Sequence, residues 1–453
     1  MMTLKKASDA LAEGKTDAGK LVRQALAAAD DPQGEGARVF LRLWPQQALQ
    51  AADAADARRR NGDAFGPLDG VPVSIKALLD VAGEVTSGGS RRLAQAAPAA
   101  HDAEVVARLR RAGAVIVGST NMTEFAFSGL GINPHYGTPA NPWQRERRLI
   151  PGGSSSGAAV AVSDGMCLAS VGSDTGGSVR IPAALCGLTG FKPTAQRMDT
   201  RGLQPLSPSL DSIGVIAHDV ASCALLDGVI AGRPLPLAAT DLRQLRLAVP
   251  QTLVLDGLST EVEHAFFTAV ERLKQAGARV EPLPLNALSE LAEINAAGGL
   301  TAFESWQWHR PLIEEEAQSY DPRVLSRIRR GAAIGAEDAD RLHRQRRDWQ
   351  QRVGADIAGY HALLMPTVPL VAPTIAELEQ DEARYFAVNA AMLRNPSIIN
   401  FLNGCAVSLP CHAPGTPPVG LMLAALPGQD AALMCAALAV ERALRPITQS
   451  TGE

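Results

Sequence analysis

Two glycine-rich turns that carry serine are the part of this sequence best suited to chemistry. The first reads Gly-Gly-Ser-Ser-Ser-Gly at 152–157 and the second Asp-Thr-Gly-Gly-Ser-Val-Arg at 174–180. Between them, residues 155–164 predict a short helix of about 15 Å and residues 167–171 a buried strand of about 16 Å. A helix running away and a strand returning over nearly equal lengths bring both turns to one end of the fold. Backbone N–H groups would then converge beside a hydroxyl nucleophile, as in a serine hydrolase.

Neither turn fits a nucleotide-binding loop. A P-loop requires Gly-x-x-x-x-Gly-Lys-Ser/Thr, in which the lysine binds the phosphates. The glycine spacing is present at 152–157 and again at 172–177, but Ala158 and Ser178 stand where the lysine is required. Nucleotide binding is therefore not expected.

The first turn also fits the Gly-x-Ser-x-Gly nucleophile elbow of α/β-hydrolases, with Ser155 as the nucleophile. That alternative needs an acid and a histidine later in the chain, and His412 with Glu379 or Asp381 would supply them. An elbow directly follows a strand, whereas residues 145–153 make a poor strand. An esterase of this type stays open as an alternative, and mutation of His412 is its test.

The other possibility is a serine nucleophile whose base is not histidine. Lys76 is the candidate for this base. The chain has only seven lysines. Lys76 differs from the others because it lies near the end of an apolar strand predicted over 71–78, where it would be partly buried. A purely structural role explains the same position equally well. In that role Lys76 would only end the strand or pair with Asp80.

Five segments within residues 66–220 form an ordered set, namely GPLDGVPVSIKALLDVAG, GSTNMTEFAF, NPW, PGGSSSG and SDTGGSVRIPAALCGLTGFKPT, and a weaker one follows in PPVGLMLAA at 417–425. Segment by segment and in this order, the sequence resembles the amidase signature family. The resemblance implies a Ser–cis-Ser–Lys triad, with Ser178 as nucleophile, Ser154 as the bridging serine after a cis peptide bond, and Lys76 as base. All three positions hold the expected residue.

The chemistry implied by this triad requires an uncharged lysine. The pKa of Lys76 must fall from about 10.4 to near 7, and burial among apolar neighbours lowers a lysine pKa. Neutral Lys76 would take a proton from Ser154 while Ser154 takes one from Ser178. Attack on an amide carbonyl would release ammonia or an amine, and water would hydrolyse the acyl-enzyme. No metal or organic cofactor is needed.

Successive backbone N–H groups of the second turn are expected to surround the oxyanion. Losing one such donor typically costs about 10²–10³ in rate. Glycine at two of the positions lets the backbone approach closely. The donors belong to Thr175, Gly176, Gly177 and Ser178.

Other residues of the motifs are predicted to support this site. Ala126, in the segment TNMTEFAF, is a candidate wall of the acyl pocket by the same resemblance. Asp174 and Arg180 flank the nucleophile, and we expect them to hold the loop by hydrogen bonds rather than to contact substrate. Ser155 is expected to satisfy hydrogen bonds within its own loop.

The function predicted from these motifs is hydrolysis of a small carboxamide by a free-standing amidase. The alternative is a glutaminase-type subunit of a tRNA-dependent amidotransferase, which resembles this chain across the same core. That component commonly has glutamine where this chain has Ile181 and tyrosine where it has Ala195. These differences favour a free enzyme. Aliphatic amides, aryl amides and biuret- or malonamide-like compounds all remain open as substrates.

The alternation of strands and helices predicts an α/β layered core. The resemblance to the amidase signature family implies that this core is one large domain, with a mixed, mainly central sheet covered by helices on both faces. Residues 1–60 are alanine-rich with helical periodicity and predict an N-terminal helical arm. Residues 61–235 would form the amidase signature core with the triad. Residues 236–453 would complete the same domain with pocket-shaping helices and closing strands.

Charge and composition limit the classes of partner that this protein is expected to bind. The 43 basic and 47 acidic residues give a net charge of −4, which points to no nucleic-acid partner. Arginines between 323 and 352 alternate with acids and predict a solvated helical face. No signal peptide and no run of 18 apolar residues is seen, and the six cysteines are scattered, so a cytoplasmic protein without a membrane partner is expected. A small-molecule amide is the expected partner, with a homodimer left open.

Overall fold

One mixed sheet of eleven strands runs through residues 2–445, the part of the chain that the computed structural model describes. Most strands are short apolar runs that are bounded by glycine, proline or polar residues. This pattern agrees with the residue preferences of β-strands. The strands are β1 Phe40–Leu43, β2 Pro72–Lys76, β3 Val115–Thr120, β4 Ala169–Asp174, β5 Thr189–Lys192, β6 Ser212–Ala217, β7 Arg246–Pro250, β8 Arg279–Leu283, β9 Ala362–Pro366, β10 Cys405–Pro410 and β11 Gly420–Ala425.

The spatial order of the strands is β1-β3-β2-β4-β6-β5-β10-β11-β9-β7-β8. β2 runs parallel to β3 and β4, and β7 runs parallel to β8 and β9, whereas the remaining neighbours are antiparallel. In the register of β2 and β4, Ser74 lies opposite Ser170. This pairing places the end of β2 beside the end of β4, where the second serine turn begins.

Helices cover the sheet within the described residues. Sixteen α-helices are present there, and several open with a side-chain cap; Asp219, for example, accepts a hydrogen bond from the Ser222 amide at the start of α8. They are α1 Leu4–Ala12, α2 Ala18–Asp30, α3 Gly36–Val39, α4 Pro45–Asn61, α5 Glu104–Arg111, α6 Ser156–Ser163, α7 Arg180–Leu185, α8 Val220–Ala231, α9 Thr260–Gln275, α10 Leu291–Ile294, α11 Gly299–Glu316, α12 Pro322–Arg329, α13 Ala336–Ile357, α14 Ile375–Gln380, α15 Glu382–Leu402 and α16 Asp430–Leu444.

Both faces of the sheet are buried. In β11, Leu421 and Leu423 pack into a core cluster that includes residues of α16, while Met422 and Ala424 pack into a second cluster that includes residues of α13. Since successive side chains of a strand point to opposite faces, the two clusters lie on opposite sides of the sheet. The predicted fold class, a mixed sheet in one domain with helices on both faces, is confirmed.

Strand bounds differ from the sequence prediction near the site. The strand predicted at 167–171 is β4 at Ala169–Asp174, because its polar end pairs with β6 through Ser173 and Ile213. The strand predicted at 71–78 is the shorter β2, and α6 begins one residue later than expected, at Ser156. The alternation that favours strands is weak at such polar or glycine-containing ends.

The three predicted segments share the one sheet. Residues 1–60 contain α1–α3, most of α4 and also the short strand β1, which pairs with β3. Strands β2–β6 belong to 61–235 and β7–β11 to 236–453, of which residues 446–453 lie outside the described part. The division at 60 and 235 stays a prediction. Among the described helices, none combines the length and apolar content needed to cross a lipid bilayer.

Candidate active site

Lys76 ends β2 inside the protein and contacts two hydroxyl groups. Its side chain is fully buried, and its Nζ donates hydrogen bonds to the Oγ of Ser154 at 2.7 Å and of Ser173 at 2.8 Å. The peptide bond that joins Gly153 to Ser154 is cis. Lys76 therefore makes its hydrogen bonds to serines and not to Asp80, the partner that a purely structural lysine was expected to choose.

Burial changes the acidity of this amine. Removal from water lowers the pKa of Lys76 from 10.5 to about 7, although the negative charges of Asp174 and Asp211 oppose the change. Desolvation disfavours the charged form of a lysine, which explains the direction. At neutral pH a large fraction of Lys76 is thus uncharged and able to accept a proton.

Ser178 lies in the turn between β4 and α7, next to the first serine turn. Its backbone carbonyl accepts a hydrogen bond from the amide of Ser155 at 3.2 Å, so the two turns are joined directly. The side chain is 2% exposed and lines the large cavity described below. Its hydroxyl forms no hydrogen bond with another residue of the 2–445 range. The structure thus brings Lys76 and Ser154 into contact and Ser178 beside them.

A buried ion pair holds the turn that carries Ser178. Both side chains of the pair are fully buried, and Asp174 accepts from Arg180 at 2.8 and 3.0 Å. Asp174 also accepts from the amides of Gly177 and Val179 at 2.9 and 3.1 Å and from Asn400 at 3.0 Å. Burial alone would raise the pKa of Asp174, but the Arg180 charge and these hydrogen bonds outweigh it and hold that pKa well below its usual range.

The amide groups of this turn fall into two sets. The N–H of Gly177 is already bonded to Asp174, whereas those of Thr175, Gly176 and Ser178 donate to no other described residue. Gly177 has φ +122°, and a Cβ there would lie 2.5 Å from the Cβ of Pro396, so only glycine fits. Of the four predicted oxyanion donors, three are thus unpaired within the described chain and one holds the loop.

Ser155 and Thr175 sit in supporting positions around the serines. The Ser155 hydroxyl is buried and donates to the backbone carbonyl of Ser173 at 3.5 Å. The Thr175 hydroxyl donates to Asp211, which also accepts from the amides of Leu206 and Ser207 at 3.0 and 3.1 Å. Burial raises the pKa of Asp211 to about 7. Neither Ser173 nor Asp211 was among the site residues predicted from the sequence.

A cavity of about 620 Å³ opens onto the Ser178 turn. Ala126, Thr175, Gly176 and Ser178 all line it, so the predicted acyl-pocket residue and the turn face the same space. Ala126 has φ +60°, a left-handed backbone conformation that is uncommon outside glycine. The volume is that of a small-molecule site.

The residues required by a nucleophile elbow have local partners instead. The ring of His412 accepts from the amide of Val419 at 3.3 Å, and Asp381 caps α15 by accepting from the Arg384 amide at 2.9 Å. No strand of the described chain leads into Ser155, since the residues before it form turns and a short 3₁₀ segment. Across residues 2–445, no three His, Cys, Asp or Glu side chains are grouped to hold a metal ion.

Comparisons with known proteins agree on one family. The family model described as Amidase matches residues 21–434. A 2-amino-5-chloromuconic acid deaminase of Comamonas testosteroni is 37% identical over 405 residues, covering 87% of this chain and 86% of that protein. A glutamyl-tRNA(Gln) amidotransferase subunit of Chloroflexus aggregans is 36% identical over 471 residues, covering 96% of this chain and 94% of that one.

Solved structures give the same result. The crystal structure of an amidase superposes with a TM-score of 0.89 at 30% sequence identity. The superposition covers 98% of this chain and 100% of that one. The likeness therefore extends over the whole sheet and its helices, and not only over the serine turns.

Proposed function

The chain belongs to the amidase family and is a hydrolase of amide C–N bonds, and we propose that it cleaves a small-molecule carboxamide through an acyl-enzyme on Ser178. Ser154 is the bridging serine and Lys76 the base. The products are a carboxylate and ammonia or an amine. The observation that carries this proposal is the buried hydrogen bond between Lys76 and Ser154, in which burial lowers the lysine pKa to about 7.

Proton transfer in this proposal follows from the valence of a neutral amine. Such an amine has two N–H bonds and one lone pair, so Lys76 can keep donating to Ser173 while its lone pair accepts the proton of Ser154. With a pKa near 7, about half of the lysines are neutral at pH 7. Ser154 then takes the proton of Ser178, whose hydroxyl has no competing partner among residues 2–445 and is free to turn toward it.

The oxyanion that forms on attack is stabilised by fixed backbone dipoles. The amides of Thr175, Gly176 and Ser178 have no other acceptor among the described residues, and the bonds from Asp174 and Arg180 keep the turn in shape. Donors that are already oriented need no reorganisation when charge develops. The proton returns through Ser154 to the leaving nitrogen, and water afterwards hydrolyses the ester on Ser178.

A role as one component of a larger enzyme is the second candidate. The relative from a glutamyl-tRNA(Gln) amidotransferase is 36% identical over nearly the whole chain, which favours this alternative. Against it, Ile181 is fully buried and its side chain packs close to Gly177, at a position where that component commonly has glutamine. Glutamine hydrolysis that depends on added partner proteins would support the second candidate.

The experiment that tests the proposed roles compares two neighbouring serines. We predict that Ser178→Ala lowers ammonia release from a panel of carboxamides by at least about 10⁴-fold, because the nucleophile is lost. Ser155→Ala, the matched control, should keep activity within about tenfold, because its hydroxyl only bonds a backbone carbonyl. Both variants should unfold at nearly the wild-type denaturant concentration.

An elbow mechanism gives the reverse pattern, with activity lost in Ser155→Ala and kept in Ser178→Ala. Mass spectrometry of the wild type after rapid acid quenching should show the acyl group on the peptide that contains Ser178. Label on a peptide without this residue contradicts the proposal.

We also propose a cytoplasmic location for this enzyme. All six cysteines are free, and four of them are buried. Thiols of this kind do not depend on an oxidising compartment. A fusion to a fluorescent protein, followed by cell fractionation, tests this expectation.

A further inference from the structure

The cavity next to Ser178 is lined by arginines without balancing acids. Arg327, Arg330 and Arg394 line it, and no aspartate or glutamate of residues 2–445 does. Most of the remaining wall is apolar, and Leu206 and Leu253 are examples. Arg327 and Arg330 belong to the stretch that the sequence predicted to be a solvated helical face. Arg330 is exposed, as predicted, whereas Arg327 lies on the cavity side of α12 and departs from that prediction.

Some arginines of this stretch that lie outside the cavity are paired with acidic side chains. Arg323 pairs with Asp321 at 3.2 Å, and Arg352 pairs with Glu290 at 2.6 Å. Other arginines of the stretch have no carboxylate oxygen of residues 2–445 within 4.0 Å, but they are either exposed, as Arg344 is, or bound to backbone carbonyls through all three side-chain nitrogens, as Arg346 is. The three cavity arginines likewise have no carboxylate oxygen within 4.0 Å in the described part of the chain. A guanidinium is stabilised most by a carboxylate or phosphate, so a group of them facing a cavity without either marks a place for an anion.

Among the three cavity arginines, Arg327 has one edge of its guanidinium without a hydrogen-bond partner in the described residues. Its Nη1 donates to the backbone carbonyl of Phe127 at 2.6 Å, and the guanidinium stacks 4.4 Å above the ring of the same residue. Its Nε and Nη2 donate to no other described residue. These two nitrogens form the edge that binds a carboxylate through two parallel hydrogen bonds. Burial lowers the pKa of Arg327 to about 10, which still leaves it charged at neutral pH.

The other two arginines have different tasks. All three side-chain nitrogens of Arg394 are used, on Asn395 at 3.0 Å and on the carbonyls of Asp256 and Val254 at 2.7 and 3.3 Å. Arg330 is exposed and donates to the carbonyl of Ala296 at 2.8 Å. Arg394 therefore holds the fold, and Arg330 adds positive charge at the rim.

Arg327 is tied by contacts to the serine turns. Phe127, its acceptor, lies between two cavity residues, Ala126 and Ser128. One residue further, the carbonyl of Gly129 accepts from the amide of Gly153 at 2.8 Å, directly before Ser154. The position of the guanidinium is thus fixed relative to the reacting groups.

The helix that carries this arginine is held to the same segment. Glu124, two residues before Ala126, is fully buried and accepts from the Asp321 amide at 2.6 Å. Asp321 in turn caps α12 by accepting from the amide of Arg323. A guanidinium on a fixed helix discriminates between substrates better than one on a loose surface.

We infer that the substrate is an amide that also carries a carboxylate, bound by the Nε–Nη2 edge of Arg327 while the scissile carbonyl lies at Ser178. This inference rests on the proposed amidase function and names its substrate class. The leucine-rich wall suits an apolar carbon chain between the two groups, as in monoamides of linear dicarboxylic acids. Arg330 adds attraction for the same anion.

The experiment uses substrate pairs that differ only in the carboxylate. Succinamic, glutaramic and adipamic acids are compared with butanamide, pentanamide and hexanamide, so that three chain lengths cover the distance between the groups. For the wild type, kcat/KM should be higher for the best acidic amide than for its neutral partner. Arg327→Gln should lower the acidic value by about 10²-fold, mainly through KM, and change the neutral value less than about threefold.

Arg329→Gln is the matched control, because Arg329 is exposed at the end of the same helix and does not line the cavity. It should leave both values unchanged. Equal losses on acidic and neutral amides in Arg327→Gln, or a wild type that does not prefer the acidic amides, would overturn the inference.

Binding separates this inference from the proposed function. Calorimetry should show adipate binding to Ser178→Ala and about 10²-fold weaker binding to the double variant Ser178→Ala/Arg327→Gln. Unchanged adipate affinity in the double variant contradicts the carboxylate site even where Ser178→Ala is inactive. Full activity of Ser178→Ala contradicts the nucleophile assignment even where adipate binding depends on Arg327.

Discussion

Two lysines end strands in the middle of this protein, and only one of them is placed for chemistry. Lys76 ends β2 and Lys192 ends β5, and both are almost completely buried. Burial lowers both pKa values, to about 7 for Lys76 and to about 8 for Lys192, where the charge of Arg180 also contributes. By burial and acidity alone, the two side chains are nearly equivalent.

The two lysines donate hydrogen bonds to different kinds of acceptor. Lys76 donates to the hydroxyls of Ser154 and Ser173, whereas Lys192 donates to the backbone carbonyl of Pro193 at 2.6 Å. A hydroxyl can give up a proton and take another one, but a carbonyl oxygen only accepts hydrogen bonds. A lowered pKa thus makes a lysine able to act as a base, and the neighbouring groups decide whether there is a proton for it to accept.

Replacing each lysine by methionine is the strongest test of this comparison. Lys76→Met should lower kcat/KM by at least about 10³-fold, because the base is lost while the side-chain volume is kept. Lys192→Met should lower it less than about tenfold and reduce the free energy of unfolding by about 1–3 kcal/mol through the lost hydrogen bond. Steady-state kinetics and urea unfolding measure the two effects. Similar activity losses in both variants would show that burial, and not the hydroxyl partners, is the common cause.

Local sequence patterns predicted much of the framework around these lysines. The apolar strand before Lys76 and the small-residue helix α6 after Ser155 are present within a few residues of their predicted bounds. Each of these patterns is contained in one short segment, where period and turn residues are informative. The short strand β1 was missed, because four residues within a helical stretch become a strand only through pairing with β3.

The supporting residues of the site depend on contacts that no local pattern contains. Ser173 lies 97 residues from Lys76 along the chain, Asp211 lies 36 residues from Thr175, and Arg327 donates to a carbonyl 200 residues away. Arg327 alone had a usable signal, since it lies three residues after the buried Val324 and therefore on the inner face of its helix. The supporting positions of Ser173 and Asp211 can be recognised only in the folded structure, where strands from distant segments lie side by side.

The second acceptor of Lys76 gives a smaller effect. Ser173→Ala removes one of the two hydroxyls that orient the amine, so we expect kcat to fall by about tenfold, with Ser154 still in place. Ser170→Ala is the matched control, because this buried serine of the same strand bonds the hydroxyl of Ser74 at 2.8 Å and not Lys76. Comparable losses in the two variants would assign the effect to packing of β4. Kinetics on one good amide substrate are sufficient to decide.

The smallest expected effect is a change in the pH dependence of kcat/KM. It distinguishes Lys76 from Asp211, two groups that titrate in the same pH range. Burial lowers the pKa of Lys76 to about 7 and raises that of Asp211 to about 7. The base must be neutral, so activity should fall as the pH decreases through 7. Ionised Asp211, which accepts from Thr175, would give a limb of the same direction if its charge were required.

Asp211→Asn distinguishes the two groups. The negative charge of Asp211 raises the pKa of Lys76, so its removal should move the acid limb to lower pH if the lysine is the titrating group. The plateau above pH 8 should change little. A limb that disappears in this variant would instead assign the titration to Asp211. Asp227→Asn is the control, because burial raises the pKa of this carboxyl to about 6, yet it is bound to Arg197 and should leave the limb where it is.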